Sequence, residues 1–209
     1  MRMRGEADGL FVKVCGLGTP ADVEAAAAAG ADAVGFVFWE PSPRHKDLST
    51  IRRLAEGSPV TTVLVTVDLG SEELLDAATR AGVDAVQPHG RHSVVASAAA
   101  RRFGLGVILP IKAGDEPPAR APDELLLVDT PHSKLPGGTG ETFDWDTIAH
   151  LDRRFLLAGG LDPDNVAAAV QRVRPFGVDA SSGLESSPGV KDHARIRDFV
   201  KVAKEAHRT

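Results

Sequence analysis

With 209 residues, 43% hydrophobic and 25% charged, the chain has material for one substantial core and little for a second. A formal net charge of −5 offers no basic face to phosphate backbones, which argues against nucleic acid as the main partner. No apolar run reaches the roughly 18 residues that a membrane-spanning helix needs, so no membrane partner is expected. The one cysteine, Cys15, cannot form an internal disulfide, and the polar opening Met1-Arg2-Met3-Arg4-Gly5-Glu6-Ala7-Asp8 lacks the apolar core of a signal peptide. The expectation is a cytoplasmic protein.

Residues 1–10 read as a short polar extension and residues 11–209 as one domain. The first element is the β-branched run Phe11-Val12-Lys13-Val14-Cys15, followed by Gly16-Leu17 and by a helix start in which Thr19 is the N-cap and Pro20 the first helical residue. Continuously apolar runs then predict strands at 33–38, 60–67, 84–87, 106–111, 124–129, 155–158 and 177–180, as expected when both faces of a parallel sheet are covered. Ala-rich amphipathic stretches predict helices at 20–29, 49–56, 71–81, 92–103, 145–150, 163–173 and 192–206. Only the connection containing Pro117, Pro118 and Pro122 lacks a clear helix. Eight βα units in about 200 residues predict an α/β fold, a (β/α)8 TIM barrel; a doubly wound open sheet rarely needs eight regular units. The motif Gly-x-Asp-Ala recurs as Gly30-Ala31-Asp32-Ala33, Gly82-Val83-Asp84-Ala85 and Gly177-Val178-Asp179-Ala180, always at even-numbered strands. It is either a quarter-barrel repeat or glycine capping the C-terminus of the preceding helix.

In such a barrel, chemistry sits in the loops after each strand. Strand one ends in Cys15-Gly16, and strand two is followed by Trp39-Glu40-Pro41-Ser42-Pro43-Arg44-His45. Strand four ends in Gln87-Pro88-His89-Gly90; strand six ends in Asp129, with Lys134-Leu135-Pro136-Gly137-Gly138-Thr139-Gly140 beyond it. Three of the last loops, this one with Ala158-Gly159-Gly160 and Ser181-Ser182-Gly183-Leu184-Glu185, expose backbone N–H groups without side-chain obstruction, and the latter two are adjacent in the barrel. Such a nest in the usual barrel phosphate position predicts a phosphate site at Gly159, Gly160, Ser181, Ser182 and Gly183.

A lone cysteine is often a small buried hydrophobe, but Cys15 stands on the catalytic rim. Asp129 is three strands away around the ring, so thiolate and carboxylic acid would face each other across the mouth as an acid–base pair. A thiol of pKa about 8.5 is only a few per cent ionised at pH 7, a handicap of about 2 kcal/mol, so something should lower its pKa. Lys13 shares the parity of Cys15 and should also point inward, with Asp179 on neighbouring strand eight as its anionic partner; either could tune the thiol. Asp129 should keep its proton in a partly dry pocket.

Several stretches carry a closer likeness: Lys13-Val14-Cys15-Gly16-Leu17, Gly30 to Phe38, Ser42-Pro43-Arg44, Pro136-Gly137-Gly138-Thr139-Gly140 and Thr142-Phe143-Asp144-Trp145. Leu157-Ala158-Gly159-Gly160-Leu161 follows, then Gly177 to Ser186 and Pro188-Gly189-Val190-Lys191-Asp192. In this order the chain resembles the phosphoribosylanthranilate isomerase family of tryptophan biosynthesis over nearly its full length. The resemblance implies a cofactor-free, metal-free Amadori rearrangement of N-(5'-phosphoribosyl)anthranilate to 1-(2-carboxyphenylamino)-1-deoxyribulose 5-phosphate. It implies Cys15 as general base at sugar C2, Asp129 as general acid on the ring oxygen, and Arg44 meeting the anthranilate carboxylate. His89, Gly138 and Asp179 join the glycine loops as substrate-facing positions in a monomer or homodimer. Two stretches depart from the family pattern: Gln87-Pro88-His89-Gly90, where leucine is usual in place of Pro88, and Thr66-Val67-Asp68, where the family often shows Phe-Val-Asn. The histidine-pathway isomerase performs the same rearrangement, but it needs a second phosphate site near mid-chain, and no glycine cluster follows strand three.

Overall fold

The β-branched run at the start forms β1 (Phe11–Cys15), the first strand of a closed, all-parallel barrel. The structure is a computed structural model, in which residues 9–116, 125–129, 151 and 153–208 are described. Around the ring follow β2 (Ala33–Phe38), β3 (Thr61–Val67), β4 (Ala85–His89), β5 (Gly106–Lys112), β6 (Leu125–Asp129), β7 (Phe155–Ala158) and β8 (Gly177–Ala180), and β8 pairs back onto β1. All eight expected strands are present to within two residues at either end. The described helices are α1 (Pro20–Ala29), α2 (Leu48–Glu56), α3 (Ser71–Ala81), α4 (Ser93–Arg102), α5 (Val166–Val173) and α6 (His193–His207). The expected helix at 145–150 and most of the N-terminal extension lie outside the described residues. None of the described helices is long and apolar enough to cross a membrane.

Local chemistry fixes where these elements begin and end. At the start of α1 the Thr19 hydroxyl accepts from the Asp22 N–H (3.2 Å), while Asp22 Oδ2 accepts from the backbone N–H of Gly18 and Thr19 (each 3.0 Å). That reciprocal capping box satisfies N–H groups that have no partner inside the helix. Gly30 and Gly82 close α1 and α3 in the left-handed region (φ 92° and 65°), so for these two copies of the motif the C-capping reading holds. Their aspartates do a further job. Asp32 Oδ2 accepts from Val12 N and Asp84 Oδ2 from Thr62 N (2.9 Å each), tying each turn to the strand that opens its βαβ unit. The third copy differs. Gly177 lies inside β8, where an added Cβ would run into the Phe11 carbonyl, and its aspartate belongs to the site.

Alternation along each strand divides the core. One apolar layer, including Val12, Val14, Val34, Phe36, Leu64 and Val178, packs between the outside of the barrel and the helices. The opposite faces fill the barrel with Phe11, Ala33, Val63, Ala85, Ile108, Leu125, Leu127 and Leu156, and Cys15, Val37 and Val65 form a smaller cluster. Lys13 lies between Phe11 and Cys15 on that inward parity and is fully buried.

Pro88 leaves β4 in place but marks a thin seam. Pairing with β3 continues through Thr66↔Pro88 and Val67↔His89, whereas β4 and β5 pair only at Ala85↔Gly106 and Val86↔Val107. Beyond that point neither Pro88 nor Pro110 has an N–H to give. The polar end of β3 is also explained. Asp68 adopts a left-handed conformation (φ 59°), donates its N–H to the His89 carbonyl (2.9 Å) and accepts from Arg91 N at Oδ1 (2.8 Å). The loops after β3 and β4 are thereby latched together beside His89.

Candidate active site

Strands β1, β2 and β8 build the centre. Lys13 Nζ donates to Asp179 Oδ1 at 2.9 Å, a buried pair across the β1–β8 seam where the two residues stand in register. Cys15 sits two residues above Lys13 on the same face and is 6% exposed. Its Sγ occupies space that only glycine leaves open: a Cβ on Gly35 of β2 would lie 2.8 Å from Sγ and 3.3 Å from Lys13 Cε. Gly35→Ala should therefore displace the thiol, and we expect turnover to fall at least about tenfold while the fold persists, measured by steady-state kinetics alongside circular dichroism.

Burial, the largest influence, pushes the Cys15 thiol above its ordinary value; Lys13 and Lys191 pull it down and Asp179 pushes it up. The expectation that a neighbour would lower this pKa is thus corrected in one respect. Lys13 does act in that direction, but desolvation outweighs it. For Lys13 itself burial works against the ammonium, yet Asp179 and Cys15 together hold its pKa above the ordinary lysine value, so the cation persists. Burial likewise pushes the Asp179 carboxyl up, against the pull of Lys13.

Arg44 reaches the site from the loop after β2. An added Cβ on Gly16 would lie 2.6 Å from Arg44 Cδ and 3.0 Å from Ser181 Oγ, so the arginine stem and the loop after β8 meet over the residue following Cys15. Its guanidinium is already engaged. Nε and Nη2 donate to the two oxygens of Glu185 at 2.6 and 2.7 Å. Lys191 Nζ, with a fully buried side chain, donates to Glu185 Oε1 at 2.8 Å and to the Ser181 carbonyl at 2.9 Å. Burial opposes ionisation of Glu185, but the hydrogen bonds from Arg44 and Lys191 prevail and hold its carboxyl below the ordinary range. Glu185 and Lys191 lie on a small hairpin, β9 (Glu185–Ser187) with β10 (Val190–Lys191), that follows a 3-10 turn at Ser182–Leu184. Sequence reading gave neither residue a role.

The glycine loops adjoin as expected. Gly159 and Gly160 have φ of 98° and 64°, and Asn165 Nδ2 donates to the Gly160 carbonyl (2.8 Å). Gly183 packs directly on the backbone of Leu161, which brings the loops after β7 and β8 together, and its carbonyl accepts from Arg195 Nε (2.8 Å). Ser181 and Ser182 open the 3-10 turn between them. His89 faces the interior next to Gln87, whose Nε2 lies 2.9 Å from its Nε2; burial, helped by the Lys13 charge, lowers its pKa to about 4, so the ring is neutral at pH 7. Asp129 ends β6 beside Lys112 and Ala158. It is exposed, so the dry pocket expected around it is not what surrounds it here. Gly138 and the loop from Lys134 to Gly140 lie outside the described residues. Among the described residues no group of three or more His, Cys, Asp and Glu side chains could hold a metal ion.

A family model described as N-(5'-phosphoribosyl)anthranilate (PRA) isomerase matches residues 12–202. The chain belongs to the PRA isomerase family. An N-(5'-phosphoribosyl)anthranilate isomerase of Haloferax volcanii is 44% identical, over 93% of this chain and 93% of the relative. The crystal structure of TrpF from Jonesia denitrificans is 41% identical with a TM-score of 0.82, covering 94% of this chain and 98% of that one. A PRA isomerase solved in complex with reduced 1-(o-carboxyphenylamino)-1-deoxyribulose 5-phosphate is 34% identical with a TM-score of 0.77, covering 94% and 99%. As a PRA isomerase family member, the chain is an isomerase built on the barrel seen here.

Proposed function

We propose that this protein catalyses the Amadori rearrangement of N-(5'-phosphoribosyl)anthranilate in tryptophan biosynthesis, with Cys15 as general base and Asp129 as general acid. The observation that carries the reading is the buried Cys15 thiol, stacked above the Lys13–Asp179 pair, with Arg44 and Ser181 meeting over Gly16, the residue that follows it. A substrate with a carboxylate at one end and a phosphate at the other matches that layout. Arg44 offers a planar donor fork for the carboxylate, and the loops containing Gly159, Gly160, Ser181, Ser182 and Gly183 offer backbone N–H groups for the phosphate.

The steps then follow from where protons must go. Asp129 gives its proton to the ring oxygen, and the furanose opens to a protonated C1–nitrogen imine. The Cys15 thiolate takes the proton from C2, and the C–H electron pair moves through C1 onto nitrogen to give the enol amine. Reprotonation at C1 with collapse of the enol leaves the 2-ketone. One C–H bond is broken and one formed, so the carbons exchange oxidation levels without an external electron acceptor. Lys13 supports the thiolate electrostatically, and the neutral His89 can offer a hydrogen bond without adding charge.

Turnover of phosphoribosylanthranilate, followed by the loss of its fluorescence, tests the proposal; correctly folded protein with no measurable turnover would refute it. Arg44→Ala should chiefly raise KM, by about tenfold or more, because a charge-assisted hydrogen bond contributes about 1.5–3 kcal/mol. An effect confined to kcat would contradict a carboxylate-binding role.

A further inference from the structure

We infer that Glu185 is a positioning residue that sets the orientation in which Arg44 meets a substrate carboxylate. This rests on the proposed function and deepens it. A carboxylate next to two anion-recognising groups is a liability, since it repels the ligand those groups should attract. Yet Glu185 is nearly buried, with its side chain 4% exposed, and its oxygens receive four donors: Arg44 Nε and Nη2, Lys191 Nζ and Gly189 N. Two of the five guanidinium N–H donors are spent on Glu185, through Nε and the near side of Nη2. The remaining three, on Nη1 and the far side of Nη2, form one free-standing edge of the planar fork. A side-on grip of this kind fixes the plane and the direction of that edge, where an unrestrained arginine would sample many rotamers. The grip is itself anchored. Lys191 links Glu185 to the Ser181 carbonyl in the loop after β8, and Gly189 leaves no room for a Cβ beside the Pro43 carbonyl, one residue before Arg44. Glu185 thereby joins the loop that would read the carboxylate to the loop that would hold the phosphate. Two cations and one anion also leave a net charge of +1, suited to a single carboxylate.

Calorimetry with two stable probes separates this role from plain structural support. One probe is reduced 1-(o-carboxyphenylamino)-1-deoxyribulose 5-phosphate, and the other is its anilino counterpart lacking the carboxylate. In Glu185→Gln, binding of the carboxylated probe should weaken by about tenfold or more, while the anilino probe should stay within about twofold of wild type. Steady-state kinetics should show the loss mostly in KM. The double variant Glu185→Gln with Lys191→Met, which removes the cation deprived of its carboxylate, should keep the same selective loss. Equal weakening of both probes, or recovery of the carboxylated probe's affinity in the double variant, would overturn the proposal in favour of structural support alone. If wild type itself fails to prefer the carboxylated probe, the carboxylate role of Arg44 falls, and the inference about Glu185 falls with it. Wild-type preference that survives intact in Glu185→Gln would sink the inference while leaving the proposed function standing.

Discussion

Cys15→Ser should lower the turnover of phosphoribosylanthranilate at least about 10²-fold, and Asp129→Asn should do the same, the low end of what a positioned acid or base contributes. Serine retains the shape of the pocket that Gly35 leaves, but its hydroxyl ionises far less readily than a thiol, so it cannot take a proton from carbon. Because Cys15 is buried against a clearance set by glycine, the exchange should cost little stability, and loss of folding would not account for the drop. A pH signature accompanies it. The thiol of the free enzyme is pushed above its ordinary value, chiefly by burial, and a general base works only when deprotonated. In wild type, the thiolate fraction of Cys15, and with it that residue's contribution to kcat/KM, should therefore climb with pH across the neutral range, by up to about tenfold per unit. Near-wild-type rates in both variants would show that neither residue carries the chemistry.

Lys13→Met should remove about 3–5 kcal/mol of stability, read from urea unfolding, because it strands a buried carboxylate. Asp179 is 7% exposed and its hydrogen-bond donor is the Lys13 ammonium, 2.9 Å away. Taking the lysine out leaves desolvation of that carboxylate without compensation. Lys13→Met combined with Asp179→Asn should then be more stable than Lys13→Met alone, since no buried charge is left unpaired. A double-mutant cycle yielding no coupling between the two positions would refute the pairing.

Much of the barrel could be read from sequence because its signals are local. Strands covered on both faces are continuously apolar, and α1 announces itself through Thr19, Pro20 and Asp22. Inward parity placed Lys13 below Cys15 and across from Asp179, as the structure has them. What escaped depends on depth or on distant neighbours. The direction of the Cys15 shift depends on how much water burial removes, which no spacing encodes. The exposure of Asp129 is likewise a property of the assembled rim. Glu185 and Lys191 were hidden for another reason: they sit on strands of three and two residues, too short for periodicity to mark, and their partner Arg44 lies 141 residues away from Glu185 along the chain. The Gly-x-Asp-Ala motif shows how a short pattern divides: two copies are turns, and the third is an interior strand carrying a buried charge.

The aspartate clamps have a consequence for where the activity resides in the chain. Asp32 and Asp84 bind backbone only 20 and 22 residues away, so the units they close are held by short-range ties. The Lys13–Asp179 contact spans 166 residues and Arg44–Glu185 spans 141. Loop closure over such separations carries the larger entropic cost, and it is met only when the last strand docks against the first. A chain opened along that seam can keep its βαβ units and most of its secondary structure while Lys13 loses its counter-ion Asp179 and Arg44 its anchor. In this barrel the Lys13–Asp179 and Arg44–Glu185 pairs are properties of ring closure, and neither half of the chain contains them alone.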